Sequence, residues 1–460
     1  MRPPRRLSLA EWDARHDELR DAGLVEPAYG GRLSRHLADG DLRLLRLSFD
    51  GSPAALRLWN FLLTEEDRLA EARGQGKKLV GAMKDLGTVP VLAYSLPNLA
   101  AFYPDGAWWI PCMMEMSAGV LEIADRLGVP ESFCPVRAML GAFVTRAHFP
   151  IPDLLVCSVG AVCDDFSAIA QRLSSMGHPL LWWEMPHRRA PEPGEEGVTL
   201  PGGFTAPRSL VEFVAGELAR VRAALEQLAG APLTDALLGE GIRMANRVRA
   251  TLSKLRRWAY TADPCPMPAL EMLICEMLAI HYCSDRAEAL TVLSEMLGEV
   301  ERRMAAGVGV SPRDAARIYW VNPVADLRVM NLLEACGARL AGTEYLFSHA
   351  LDAIPEDLPP MEALARVALS DPMVGPARDR AERIAREMAA FGAEALLVSR
   401  IPGASHCALE GEVIADYVRE RLGVPVQEIE VPPVADALAP ALRTRFEALI
   451  EAIGERRRLG

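Results

Sequence analysis

Two stretches of this chain share one pattern: a short apolar strand runs into a loop that ends in a cysteine at the head of a helix. The first starts at Leu154-Leu155-Val156-Cys157, reaches Cys163-Asp164-Asp165, continues as an amphipathic helix to Gly177, and resumes as a strand over Pro179 to Glu184. The second starts at Leu396-Leu397-Val398-Ser399, reaches Ser405-His406-Cys407, continues as a helix to Gly423, and resumes as a strand over Pro425 to Glu430. Parallel strands need a crossover that is usually helical, so each stretch reads as a βαβ half-unit. The chain is therefore read as α/β, with two doubly wound, Rossmann-like parallel-sheet domains built alike. Ligands of such sheets bind beyond the carboxyl ends of the strands, where Cys163 and Cys407 both fall.

The remaining sequence divides around these units. Residues 1–80 read as an N-terminal helical extension, 81–206 as the first α/β domain, 207–310 as a helical domain and 311–460 as the second α/β domain. In the extension, helix-like pieces fall over Leu9 to Leu19 and Arg32 to Ala38, and a longer helix over Pro53 to Leu69. Gly74-Gln75-Gly76-Lys77-Lys78 lacks the spacing of a phosphate-binding loop and follows no strand, so it reads as a solvated helix end or turn.

Val89 to Tyr94 is expected to be a strand, followed by the aromatic-rich connection Phe102 to Cys112, which packs under a neighbour or lines an apolar pocket. Met113 to Leu127 has helical periodicity that Gly128-Val129-Pro130 ends. Cys134 then precedes Pro135, a residue suited to the first helical position, so a third cysteine stands at a helix head. Arg188 to Gly197 is a Pro/Gly-rich connector. Four amphipathic helices are expected between residues 208 and 306, with Cys275 and Cys283 as core thiols. The second sheet opens at Ala316 to Val321 and adds Ala338 to Tyr345.

Half of the residues are hydrophobic and 24% are charged, with a formal net charge of −12. That balance excludes a general nucleic-acid or anionic-membrane surface and leaves small molecules or other proteins as partners. The basic start Met1 to Arg6 is followed by acids and a histidine instead of an apolar run, so it does not read as a signal peptide. No stretch approaches the roughly 18–20 uncharged residues that a membrane span requires. The expected location is the cytoplasm, where nine cysteines, an odd number, argue for free thiols, buried thiols or metal ligands over disulfides.

Three thiols at three helix heads suit an iron–sulfur cluster, because thiolates are its ligands and helix dipoles stabilise their negative charge. Their spacing matches no compact ferredoxin pattern, and on spacing alone isolated cysteines are more often buried or redox-inert thiols. Zinc would ask for four closely spaced ligands.

Three motifs, in order, add a resemblance over the run from about Val89 to the C-terminus. They are Gly128-Val129-Pro130-Glu131-Ser132-Phe133-Cys134; Pro152-Asp153-Leu154-Leu155-Val156 with Cys163, Gly177-His178-Pro179 and Met185-Pro186-His187; and Ser405-His406-Cys407 with Arg421-Leu422-Gly423-Val424-Pro425 and Glu428-Ile429-Glu430. Together they resemble the 2-hydroxyacyl-CoA dehydratase and benzoyl-CoA reductase family.

The resemblance implies a [4Fe-4S] cluster on Cys134, Cys163 and Cys407 with one iron open to water, hydroxide or substrate. It also implies an acyl-CoA substrate, a related second subunit in a heterodimer, and an ATP-dependent iron–sulfur activator protein. No Walker motif is present, so ATP chemistry would come from outside the chain. In the family's dehydratases one injected electron converts a 2-hydroxyacyl-CoA to a ketyl radical, hydroxide leaves, and the electron is recycled. Residues 1–80 and Tyr103 to Trp109 depart from those members.

A substrate-contacting serine seen in some members corresponds to Ser95. Glu184 and Glu344, at strand ends, are candidates for proton transfer, and His406 could donate to a cluster sulfur or to substrate. Against these stand an ordinary loop histidine at 406 and first-turn helix acids at Asp164 and Asp165. The functional expectation is an iron–sulfur lyase subunit of the dehydratase type. A benzoyl-CoA-reductase-like subunit and an accessory subunit supporting a catalytic paralogue are the alternatives.

Overall fold

The computed structural model describes residues 6–22, 30–35, 44–105, 117–146, 148–345, 347–404, 409–433 and 435–459. Eight strands make two four-stranded sheets. The first sheet contains β1 (Lys78–Met83), β2 (Leu99–Phe102), β3 (Leu154–Gly160) and β4 (Leu180–Met185), in the order β2-β1-β3-β4 with every pair parallel. The second contains β5 (Ala316–Val321), β6 (Ala338–Glu344), β7 (Ala395–Arg400) and β8 (Val426–Glu430), in the order β6-β5-β7-β8, again all parallel. The chain is thus α/β with two Rossmann-like sheets of one topology, as the repeated strand–cysteine–helix pattern implies. In each, strand order reverses between the first and third strand, so the crevice for a ligand opens beyond β1 and β3, and beyond β5 and β7.

Central strands covered on both faces read as continuous apolar runs. β1, β5 and β7 fit this rule, with only Lys78, Arg317 and Arg400 outside the buried set. The expected strand at Val89–Tyr94 is instead a one-and-a-half-turn helix, entirely buried. Pro90 occupies its first turn, and the Asp85 carboxylate accepts hydrogen bonds from the Thr88 and Val89 amides, both at 2.8 Å. A proline fixed at a helical φ beside a capping acid outweighs β-branched composition over six residues.

The strands that flank it are Lys78–Met83 and Leu99–Phe102. The glycine–lysine cluster before β1 is the turn between the helix Glu65–Gly74 and that strand. The long N-terminal helix is broken at Thr64 into Pro53–Leu63 and Glu65–Gly74.

Helices Arg208–Ala229, Asp235–Thr261, Ala269–His281 and Arg286–Ala305 form the block between the sheets. Ala269–His281 is buried on every side, and Cys275 within it and Cys283 in the 3-10 turn Tyr282–Ser284 that follows are core thiols. The connector after β4 begins with a lock between the two α/β units. Arg188 is buried, donates to the carbonyls of Leu369 and Asp371 at 2.8 and 2.9 Å, and pairs with Asp379 at 3.1 Å. No helix among the described residues is long and apolar enough to cross a membrane.

Candidate functional site

The site forms where the two switch points meet the turn that carries Cys134. Cys134 caps the 3-10 turn Pro135–Arg137, which runs on into the helix Ala138–Thr145. Cys163 caps the helix Asp164–Ser175, just past the end of β3. Both thiols are buried, and the Cys134 turn packs on the helix that Cys163 heads.

Between β3 and Cys163 the chain must turn sharply. Gly160 takes a φ of +101°, and a Cβ there would lie 2.3 Å from the Met185 carbonyl oxygen, so only glycine lets the end of β3 close against the end of β4.

The third approach comes from the second sheet. After β7, Ile401 to Ala404 makes a tight turn in which Gly403 has a φ of +81°. A Cβ on Gly403 would meet the Phe133 and Glu131 carbonyl oxygens at 2.4 and 2.7 Å. The loop that leads to Cys407 is therefore seated directly on the residues before Cys134. Cys407 and His406 themselves, like Trp108, Trp109 and Cys112, lie outside the described residues, and among the described residues there is no group of three metal-ligating side chains.

Burial is the main cause that pushes the Cys163 thiol up to about 12, with the Asp165 carboxylate adding to it; the Lys84 ammonium and the amides of Asp165 and Phe166 pull the other way. The Cys163 thiol lies 3.7 Å from the Asp165 carboxylate, to which it donates. Asp164 is solvent-exposed, whereas Asp165 is buried against the thiol. A thiol in this setting stays protonated unless a metal takes the proton's place, which is the chemistry of a buried thiolate ligand and not of a free nucleophile. The donor set present, buried sulfur at the heads of helical segments, fits an iron–sulfur group.

The other candidate residues have definite partners. The Ser95 hydroxyl donates to the Val91 carbonyl at 2.6 Å and packs against Gly241, ending the helix Val89–Tyr94. Glu184 is exposed on the edge strand β4, and its amide donates to Glu217 at 2.7 Å. Glu344 is buried at the end of β6 and held by both Nε (3.1 Å) and Nη2 (2.6 Å) of Arg380. Arg380, fully buried, also donates to Asn322 at 2.7 Å and Glu410 at 2.8 Å, tying the ends of β5 and β6 to the start of the helix Gly411–Leu422. Burial raises the Glu344 carboxyl and Arg380 opposes it.

Two charged residues at the site escaped the sequence reading. Arg137 is buried behind Cys134, with its Nη1 3.4 Å from the Phe133 carbonyl and its Nη2 3.4 Å from Asp125. Lys84 is buried at the end of β1, with a φ of +44°. Its signal in the sequence was a lysine closing an apolar strand, legible only once Lys78–Met83 is recognised as that strand.

Residues 98–453 match the family model described as 2-hydroxyglutaryl-CoA dehydratase, D-component. No curated protein was found to match the chain.

Proposed function

We propose, from the premise that this chain belongs to the 2-hydroxyglutaryl-CoA dehydratase D-component family, that it is the cluster-bearing subunit of a radical 2-hydroxyacyl-CoA dehydratase. The reaction is loss of water from an acyl-CoA by a ketyl-radical route after ATP-driven one-electron activation. A related subunit completes the enzyme and a separate iron–sulfur activator supplies the electron.

The observation that carries the reading is the convergence of three elements. The helix Asp164–Ser175, which Cys163 heads, packs on the Cys134 turn, and Gly403, on the way to Cys407, rests on the carbonyls of Glu131 and Phe133. Cys134, Cys163 and Cys407 would hold a [4Fe-4S] cluster, which when bound supplies one-electron chemistry and an open iron acting as a Lewis acid.

The chain's own part is to hold and shield. Loading the site takes the proton from a Cys163 thiol that burial otherwise keeps protonated. The helix dipoles behind Cys134 and Cys163 favour the resulting negative charge. Arg380 fixes Asn322, Glu344 and Glu410 around the second switch point, which ties the ends of β5 and β6 to the start of the helix Gly411–Leu422.

The test is iron and acid-labile sulfide per chain after strictly anoxic purification, with visible spectra before and after air. About four of each, bleached by air, is expected. Cys163→Ala should lose them. An iron-free chain that cannot be reconstituted, or a Cys163→Ala variant with full iron, overturns the assignment.

A further inference from the structure

The two sheets repeat one unusual detail. Met83 pairs with Cys157 and Val321 with Val398, which places Lys84 beside Ser158 and Asn322 beside Ser399 at matching positions of the two switch points. Lys84 and Asn322 both have left-handed backbones, with φ of +44° and +72°. The serine beside each donates its hydroxyl toward that residue's carbonyl: Ser158 to Lys84, and Ser399 to Asn322 at 3.1 Å. Left-handed backbone is costly for a long side chain, about 1–3 kcal/mol, and persists only where the surroundings impose it.

The side chains have diverged. Asn322 is fully committed, donating to the Ser399 carbonyl at 3.0 Å and accepting from Arg380 at 2.7 Å. Lys84 is only 7% exposed, yet among the described residues its ammonium has no hydrogen bond and no ion pair. The Nζ is not sealed from solvent, so the ammonium stands open at the carboxyl end of β1, where it can meet an anion. Two groups feel its charge: the Asp105 carboxyl, which burial holds up at about 6, and the Cys163 thiol at the end of the neighbouring strand. Neither is hydrogen-bonded to it.

We propose that Lys84 is the built-in counter-charge of the cysteine site, a positioning residue whose ammonium stabilises the added negative charge when the group on Cys163 is reduced. This inference rests on the cluster reading above. A fixed cation near an iron–sulfur group raises its reduction potential, because the reduced state carries one more negative charge. The same position in the second sheet, Asn322, carries no charge, and the cation bonded to it, Arg380, is already paired with Glu344 and Glu410.

The experiment is a redox titration, followed by electron paramagnetic resonance, of anoxically prepared wild type, Lys84→Met, Lys84→Gln and Lys84→Arg, each with its iron and sulfide measured. The Met and Gln variants are expected to keep their iron and titrate at a more negative midpoint than wild type, with Arg close to wild type. An iron-loaded Met or Gln variant with the wild-type midpoint overturns the role of Lys84 and leaves the cluster reading standing. Iron-free wild type overturns both. The Gln variant serves if Met does not fold.

Discussion

Gly403 and Phe133 come from opposite halves of the chain, yet a Cβ on the first would stand 2.4 Å from the carbonyl oxygen of the second. This contact seats Gly403, four residues before the third cysteine, on the residues that lead into the turn of the first. Gly403→Ala is expected to cost about 1–3 kcal/mol from its left-handed φ of +81° and to push the two loops apart. The expected signature is loss of iron per chain with an unchanged far-ultraviolet circular dichroism spectrum.

The serines of the two switch points should differ in worth. Ser158→Ala removes the hydroxyl that holds the Lys84 carbonyl, for about 1 kcal/mol. Ser399→Ala also strands the buried Trp320 indole N–H, which donates to Ser399 at 3.0 Å, so about 2–3 kcal/mol is expected. Urea unfolding of the two metal-free variants checks the order.

Arg380 is surrounded by Glu344, Asn322 and Glu410 with no access to water. Arg380→Met leaves the Glu344 carboxylate buried without its cation and should cost about 3–5 kcal/mol. Adding Glu344→Gln should restore part of that loss. A double variant no more stable than the single one would show that the cost lies elsewhere in the network.

Glu271, on the buried helix Ala269–His281, gives a pH dependence of its own. Burial raises its carboxyl to about 7, against the pull of Arg6, and it accepts hydrogen bonds from the Asp50 amide at 2.8 Å and the Trp59 indole at 3.3 Å. A raised folded-state value means that its contribution to stability is complete below about 4.5 and is lost as pH rises through about 7. Glu271→Gln keeps the acceptor oxygen and removes the titration. Its stability relative to wild type should therefore improve between pH 5 and pH 8, by on the order of 1–3 kcal/mol. Urea unfolding at both pH values measures this.

Cys275 supplies the control for the ligand set. It is fully buried in the helix Ala269–His281, so Cys275→Ala should leave iron content intact and cost about 1 kcal/mol of packing. Lost iron in this variant would mean that thiol substitutions disturb the site indirectly.

Much of the fold was legible because local rules and tertiary demands coincide. The four interior helices, the strands of the second sheet and the helix heads at Cys134 and Cys163 all appear where apolar periodicity and capping put them. Legibility failed over 78–102. There β1 is masked by its two leading lysines, and Val89–Tyr94 is β-branched in composition but is started as a helix by Pro90 and Asp85. Family membership was likewise legible in the order of the cysteine motifs, and residues 98–453 bear it out.

The sequence by itself determined the α/β class, the doubled architecture and the places of Cys134 and Cys163 at helix heads, since each follows from residue order within one strand, turn or helix. Only the tertiary structure decided that Gly403 rests on Phe133, that Arg380 gathers Glu344 and Glu410, and that Lys84 and Asn322 occupy matching places with opposite fates. Those relationships join residues far apart in the chain, and their energies depend on burial and on which partner arrives, quantities that no local pattern of residues encodes.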